Sequence, residues 1–374
     1  MNVRTGKKNR PFRTVSFFPK TNQVALVEQR LLPHKFSVIR TTTYTETANA
    51  ITDMVVRGAG AIGATAAYGY AQGLNEFNGN KKGEFNRHEK RVFKALAEAR
   101  PTAVDPVNAL NLIRARLADH SPISEKQTIA IELAEKFAAS NIAECQSLGS
   151  HGASLIKNGA RVLTHCNAGW LAFVDYGSAT APMYAAQEQG TSFHVYCDET
   201  RPRSQGASLT AWELAQQGIS HDVIADNAAG HLMQRGLIDL VIVGSDRTLG
   251  KTGEVANKIG TYTKAVLAKR HKIPFYVAIP FSTLDWETTR GIDIPIEDRG
   301  DEEVCGAWGI TPAGKRTYVR IANPSSGALN PGFDVTPPEL ITGIITPIGI
   351  IKPKQLKKYR SRLTPEWEAP SNQA

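Results

Sequence analysis

Cysteine is scarce in this 374-residue chain. There are four, Cys145, Cys166, Cys197 and Cys305, and none stands in a CxxC spacing. That argues against a structural zinc site and against a disulfide framework. Long apolar runs are missing too. None reaches the ~20 residues that a membrane-spanning helix requires. The opening MNVRTGKKNRPF has no apolar leader core. The expectation is a cytoplasmic protein that does not contact membrane. Acidic residues are the scarcer charge, 35 against 44 Lys and Arg, for a formal net charge of +9. The basic residues are scattered, apart from KPKQLKKYRSR (Lys352 to Arg362), and no aromatic-interleaved basic patch accompanies them. Nucleic acid is therefore not the expected partner, and an anionic small substrate accounts for the charge instead. No internal repeat is evident.

The chain is long enough for two domains. An N-terminal region, 1–135, carries β-rich segments and then helices: VSFF, VALVEQ and FSVIRTTT between residues 12 and 43, a helix over Thr45 to Val56, and further helices at Ala64 to Leu74, Glu84 to Ala99 and Pro106 to Leu117. A long apolar periodicity from Gln127 to Lys157 predicts a helix, in one piece or two, leading into the second region. From 136 to 351 short apolar strands alternate with helices. The strands are RVLTHC, SFHVYCDE, HDVIADN, DLVIVGSD and PFYVAIPF, with helices over Ala207 to Gln217 and Asn257 to His271. That alternation predicts an α/β fold, a doubly wound, Rossmann-like parallel sheet behind a smaller N-terminal β-plus-helical domain. A basic, poorly ordered tail is expected over 352–374.

Each predicted strand ends in polar groups: Cys166-Asn167, Asp198 to Arg201, Asp226-Asn227, Asp246-Arg247 and Ser282-Thr283. The C-termini of parallel strands share one edge, where ligands bind. Cys166 sits between a strand and a small-residue turn. Read alone it is better taken as a small buried hydrophobe than as a reactive thiol. Asp246 follows the apolar run VIVGS, where burial would raise its pKa and suit it to proton donation; read alone it is equally an N-cap. Gly58, Gly60 and Gly63 formally spell GxGxxG, but no strand precedes them and no acidic ribose ligand follows. Glycines beside Arg57, opening a helix, instead suit close approach to an anion or tight helix packing. Arg100, on a loop, reads as a second anion ligand or as a solvated arginine. GSDRTLGKT has five residues where a nucleotide-binding P-loop has four, which excludes that loop. GEVANKIGTYTKA is predicted to start a helix near Val255, which would put Asn257 and Lys258 in its first turn. A lysine there opposes the helix dipole unless an anion lies nearby.

RGAGAIGATAAYG, ARPTAV, THCNAG, DETRPRSQGASLTAWEL, GSDRTLGKTGEVANKIGTY, IPIEDR and NPGFDVTPPELITGIIT occur in order from about residue 15 to 350. Together they resemble the methylthioribose-1-phosphate isomerase family. Its superfamily includes ribose-1,5-bisphosphate isomerase and the non-enzymatic regulatory subunits of a translation-initiation exchange factor. The resemblance implies an aldose–ketose isomerisation without metal or cofactor, performed by a homodimer. It implies Cys166 as the catalytic cysteine and Asp246 as the general acid, with Arg57, Gly58, Ala59, Arg100, Gln205, Asn257 and Lys258 as ligands of a phosphorylated pentose. Two places depart from the family pattern. Gly60 replaces a usual proline, and Trp170 with Asp175-Tyr176 replaces small residues. Both are expected to reshape the pocket near the sugar's 5-substituent. 5-Deoxyribose 1-phosphate and ribose 1,5-bisphosphate are therefore alternative substrates, and a non-catalytic regulatory homologue is an alternative function.

Overall fold

A computed structural model describes residues 1–364 except 7, 101–103 and 118–121. Its centre is a seven-stranded sheet in the order Gly349–Ile351, Gly343–Thr346, Phe275–Ala278, Leu240–Val243, Ala160–Thr164, Phe193–Asp198, His221–Ile224. All neighbours are parallel except the edge pair 343–346 and 349–351. Leu240–Val243 and Gly343–Thr346 are buried at every position, which is why they read as unbroken apolar runs. Separate apolar clusters cover the two faces of the sheet, one built around Leu148, Met183 and Leu214, the other around Val241, Ala268 and Leu356.

The topology places the site. From Ala160–Thr164 the chain winds outward through 193–198 and 221–224. It then returns to the other side of the starting strand with Leu240–Val243, where Leu163 pairs with Val241. Winding reverses between these two strands, and that reversal opens a crevice at their C-terminal ends. Cys166 follows one strand and Asp246 the other.

The N-terminal region packs a three-stranded antiparallel sheet, Val15–Phe18, Gln23–Val27 and Val38–Thr41, against helices. Its central element is the helix Ala59–Asn75. Fifteen of its residues, from Gly60 to Leu74, are buried. So many small residues on every face suit a helix packed on all sides by others, here Lys82–Glu98, Val104–Leu117 and Ile123–Gly152. The expected long helix is a single 30-residue element, Ile123–Gly152, followed by a short turn at Ala153–Leu155. Phe137 and Ala138 join the N-terminal core, and Leu148 joins the core under the sheet.

Several expectations are corrected. The predicted helix from Val255 does not start there. Val255–Lys258 is a buried strand, antiparallel to both Arg247–Leu249 and Phe333–Thr336. Gly260, at φ 100°, turns the chain into a helix that runs over Thr261–Arg270. Lys258 therefore opposes no helix dipole. The GKT of GSDRTLGKT lies in the turn between Arg247–Leu249 and Val255–Lys258. The helix expected from Ala207 begins with a π-turn, Gly206–Thr210, and becomes α-helical over Ala211–Gln217. The helix after Arg57 starts at Ala59, five residues earlier than its periodicity suggested. The first part of the basic tail is packed: 353–362 forms a 3-10 helix, and Leu356 and Leu363 are buried against the sheet core. Residues 365–374, and Pro101 of the ARPTAV motif, lie outside the described residues.

Candidate active site

The crevice is lined by Arg57, Gly58, Ala59, Arg100, Cys166, Gln205, Asp246, Asn257 and Lys258, together with Asn167, Arg247, Arg299 and an apolar wall that includes Phe173, Ile294 and Phe333. All nine residues singled out in the sequence thus meet in one cavity. Its open space, counted out into solvent at the mouth, is about 1130 Å³.

Local geometry explains the meeting. Gly58 has φ 92°, and a Cβ there would stand 2.4 Å from the Ala172 Cα. The chain therefore passes close under the loop after Cys166, and the helix Ala59–Asn75 opens toward the cavity with no side-chain cap on its first N–H groups. Arg57, just before it, is 9% exposed. Its guanidinium donates to the Asn167 side-chain oxygen and, at 2.6 Å, to the Asn167 carbonyl. Lys258 is 5% exposed, and its Nζ donates to the Gly332 carbonyl at 2.9 Å and sits over the Phe333 ring. Burial lowers the pKa of both cations. Among the described residues neither forms a salt bridge. Arg100 is not a surface arginine: its side chain is 15% exposed and lies 3.6 Å from Glu297.

Cys166 adopts φ 67°, unusual for a non-glycine residue and of the kind found at functional positions. Three contacts hold it there. Its N–H donates to the Thr200 hydroxyl at 2.8 Å, its carbonyl accepts from the Thr210 hydroxyl at 2.7 Å, and its Sγ faces the Gln205 side-chain oxygen at 3.5 Å. Gln205 is placed by the π-turn that follows it, a distortion often found at active sites. Burial pushes the Cys166 thiol up, opposed by the charges of Lys258 and Arg57. Asp246 is open to the cavity, yet protein surrounds it. That enclosure raises its carboxyl above the usual range, against the pull of Lys258, Arg57, Arg100 and Arg299.

Glu213 is a residue that pattern reading missed. It is fully buried and accepts from Asn167 Nδ2 (2.8 Å), the backbone N–H of Trp170 (2.8 Å) and Leu171 (3.0 Å), and the Tyr184 hydroxyl (2.8 Å). It thereby shapes the whole CNAGW loop and orients the amide that holds Arg57. The one available signal was an acid inside the apolar stretch TAWELA. Arg299 and Phe173 were also missed as lining residues.

Two other expectations change. Of the polar strand ends, Cys166-Asn167 and Asp246-Arg247 line the cavity. Asp198 and Asp226 sit behind it, against His165 and the backbone of Thr200 and Arg201. Ser282 and Thr283 do not reach it. Trp170 is fully buried away from the cavity, stacked on Trp212, which in turn stacks on Phe36. Asp175 pairs with the Met1 amino group. Ala168, Ala172, Phe173 and Ser178 of this loop line the cavity, and Phe173 has the largest side chain of the four.

Fold and site define an α/β protein with a cation-lined cleft, a buried thiol and an enclosed carboxyl at its switch point. Residues 55–353 match the model of the Initiation factor 2 subunit family. Within it, the chain is 47% identical over 339 residues to methylthioribose-1-phosphate isomerase of Desulfatibacillum aliphaticivorans, covering 88% of this chain and 90% of the relative. It is 47% identical over 352 residues to the enzyme of that name from Sinorhizobium medicae (strain WSM419), covering 91% and 94%. The crystal structure of 5-methylthioribose 1-phosphate isomerase from Pyrococcus horikoshii OT3 superposes with a TM-score of 0.83 at 39% identity, covering 95% and 96%. A structure titled translation initiation factor eIF-2B, subunit delta, from A. fulgidus superposes at 0.79, also at 39% identity, covering 92% and 97%. The chain belongs to the methylthioribose-1-phosphate isomerase family and is an isomerase.

Proposed function

We propose that this isomerase converts 5-methylthioribose 1-phosphate to 5-methylthioribulose 1-phosphate, a step of methionine salvage. The observation that carries the reading is the pair of buried cations, Arg57 and Lys258, with no carboxylate bonded to either among the described residues, beside the start of the helix Ala59–Asn75, which no side chain caps. Such a site is incomplete until a dianion arrives, and a sugar phosphate supplies one. The apolar wall of Phe173, Ile294 and Phe333 suits an uncharged 5-substituent better than a second phosphate.

The 1-phosphate locks the sugar in its ring, so the ring oxygen must be protonated before its bond to C1 can break. Asp246, whose carboxyl is raised above the usual range, is the donor of that proton. Hydrogen then moves from C2 to C1 while the 2-hydroxyl loses its proton and becomes the ketone, which restores the proton count. Two routes are open for that hydrogen. In one, the Cys166 thiolate removes a proton from C2 to form an enol phosphate and returns it to C1. In the other, a hydride passes directly from C2 to C1 and the thiol only helps exclude water.

The test is turnover of methylthioribose 1-phosphate, 5-deoxyribose 1-phosphate and ribose 1,5-bisphosphate, with Cys166→Ser and Asp246→Asn as controls. Preference for the first substrate and loss of activity in both variants is expected. No turnover of any of the three would point to a regulatory homologue, and turnover indifferent to both substitutions would refute the site. Deuterium entering C1 from solvent identifies the proton shuttle. A homodimer is proposed as the assembly, to be measured by light scattering.

A further inference from the structure

His165 stands immediately before Cys166 and is 1% exposed. Its Nε2 lies 2.8 Å from the carbonyl oxygen of Ile259, the residue immediately after Lys258. A carbonyl can only accept, so Nε2 donates to it. Its Nδ1 lies 2.8 Å from Asp198 Oδ2. Lys264 Nζ is 3.2 Å from the same oxygen. One ring thus spans the end of the strand that carries Cys166 and the end of the strand that carries Lys258. The turn it grips has no slack. A Cβ on Gly260 would stand 3.2 Å from the His165 ring, and Asp334 holds the other side of the turn through the N–H groups of Gly260 (2.6 Å) and Tyr262 (3.0 Å).

We propose that His165 is a positioning residue: its bridge from Asp198 to the Ile259 carbonyl locks Lys258 at the distance from Cys166 that the reaction needs. The charged groups facing the ring are Asp198 on the strand Phe193–Asp198, Asp226 after the strand His221–Ile224 (3.9 Å), Lys264 on the helix Thr261–Arg270, and Asp334 on the strand Phe333–Thr336. Lys258 is the strongest cationic influence on the Cys166 thiol. Freeing the turn therefore has a chemical consequence as well as a mechanical one.

The inference rests on Cys166 and Lys258 sharing the proposed site, but its test needs no turnover. The rate at which iodoacetamide alkylates Cys166 is followed against pH by peptide mass spectrometry in the wild type, His165→Ala and His165→Gln, with and without inorganic phosphate. In His165→Ala the ionisation midpoint of Cys166 moves up by about one unit, so alkylation at a fixed pH below it slows about tenfold. Protection by phosphate weakens in parallel. His165→Gln, which keeps a donor toward Ile259, restores part of both. An unchanged midpoint and unchanged phosphate protection in folded His165→Ala would overturn the proposal, whatever its melting temperature. Should that variant not fold, ring 15N spectra of the wild-type protein decide the matter. A protonated Nε2 at neutral pH is expected, and a bare Nε2 overturns the bridge. Absence of isomerase turnover with these readouts intact would refute the proposed function and leave the bridge standing.

Discussion

Glu213→Gln is the most informative single change, because it removes a charge and leaves the shape. Each carboxylate oxygen now serves two donors: Oε1 takes Asn167 Nδ2 and the Leu171 N–H, and Oε2 takes the Trp170 N–H and the Tyr184 hydroxyl. In glutamine one of those positions becomes an NH2 that faces two donors. If it replaces Oε2, Tyr184 can rotate its hydroxyl and accept, but the Trp170 N–H is orphaned. If it replaces Oε1, the Leu171 N–H is orphaned and the Asn167 amide must flip, turning its NH2 onto the Arg57 guanidinium. Either way one buried backbone N–H loses its acceptor, at about 1–3 kcal/mol, and the remaining bonds lose their ionic character. A total of about 2–4 kcal/mol corresponds to a fall of roughly 4–8 °C in Tm at about 2 °C per kcal/mol. The consequence for activity is separate. In the proposed function Arg57 binds phosphate in ground and transition states alike, so its misplacement is expected to raise KM more than it lowers kcat, with kcat/KM down about tenfold at a temperature where the variant is folded. Differential scanning calorimetry and steady-state kinetics on one preparation read both. An unchanged Tm with unchanged kcat/KM would refute the view that Glu213 organises the loop.

Three further outcomes are expected. Burial raises the Asp246 pKa, so the proton-donating form is complete at low pH and persists to higher pH than an ordinary aspartic acid allows; a reaction needing only that proton loses kcat/KM as pH rises through the Asp246 pKa. If the Cys166 thiolate is also required, kcat/KM instead holds level between the Asp246 and the higher Cys166 ionisations, and a profile with neither form removes both groups from the reaction. Lys258→Met should abolish the Tm increase that inorganic phosphate gives the wild type, an increase equivalent to about 2.7 kcal/mol at one hundred times Kd; an equal increase in the variant would take Lys258 out of the anion site. Gly58→Ala combines a left-handed backbone with contact on Ala172, and should cost about 2–4 kcal/mol by urea denaturation; a wild-type midpoint would refute the close approach.

The central sheet was legible because strands buried on both faces must be apolar throughout: VLT, LVIV and FYVA can hardly be anything else. The cavity residues were legible because strand ends of one parallel sheet converge, whatever the loops do. Val255–Lys258 was not. Its Asn and Lys look like a solvated helix start, and the partner that buries them lies 74 residues further on, where Lys258 bonds Gly332. Glu213 and His165 escaped for a related reason. A lone polar residue in an apolar stretch gains meaning only from the loop or turn it holds, and that lies elsewhere in the chain.

The two departures from the family pattern show the same dependence, and one of them can be tested. The sequence places Gly60 and the Trp170 loop far apart and gives no reason to connect them. In the fold a Cβ on Gly60 would stand 2.5 Å from Phe173 Cδ1 and 2.6 Å from Asn141 Nδ2. Position 60 lies in the first turn of the helix Ala59–Asn75, where proline costs no helical hydrogen bond. What crowds proline here is the Phe173 ring together with the Asn141 amide. The glycine and the phenylalanine are thus one feature, and Phe173 reaches the cavity wall where the 5-substituent would lie. Gly60→Pro should destabilise the protein, whereas in a Phe173→Ala background it should cost less by about 0.5–3 kcal/mol, measured as the coupling of a double-mutant cycle. Additive effects would show that the two positions vary independently. The discrimination between methylthioribose 1-phosphate and 5-deoxyribose 1-phosphate should narrow in Phe173→Ala and stay put in Trp212→Phe, because the tryptophan stack lies outside the cavity.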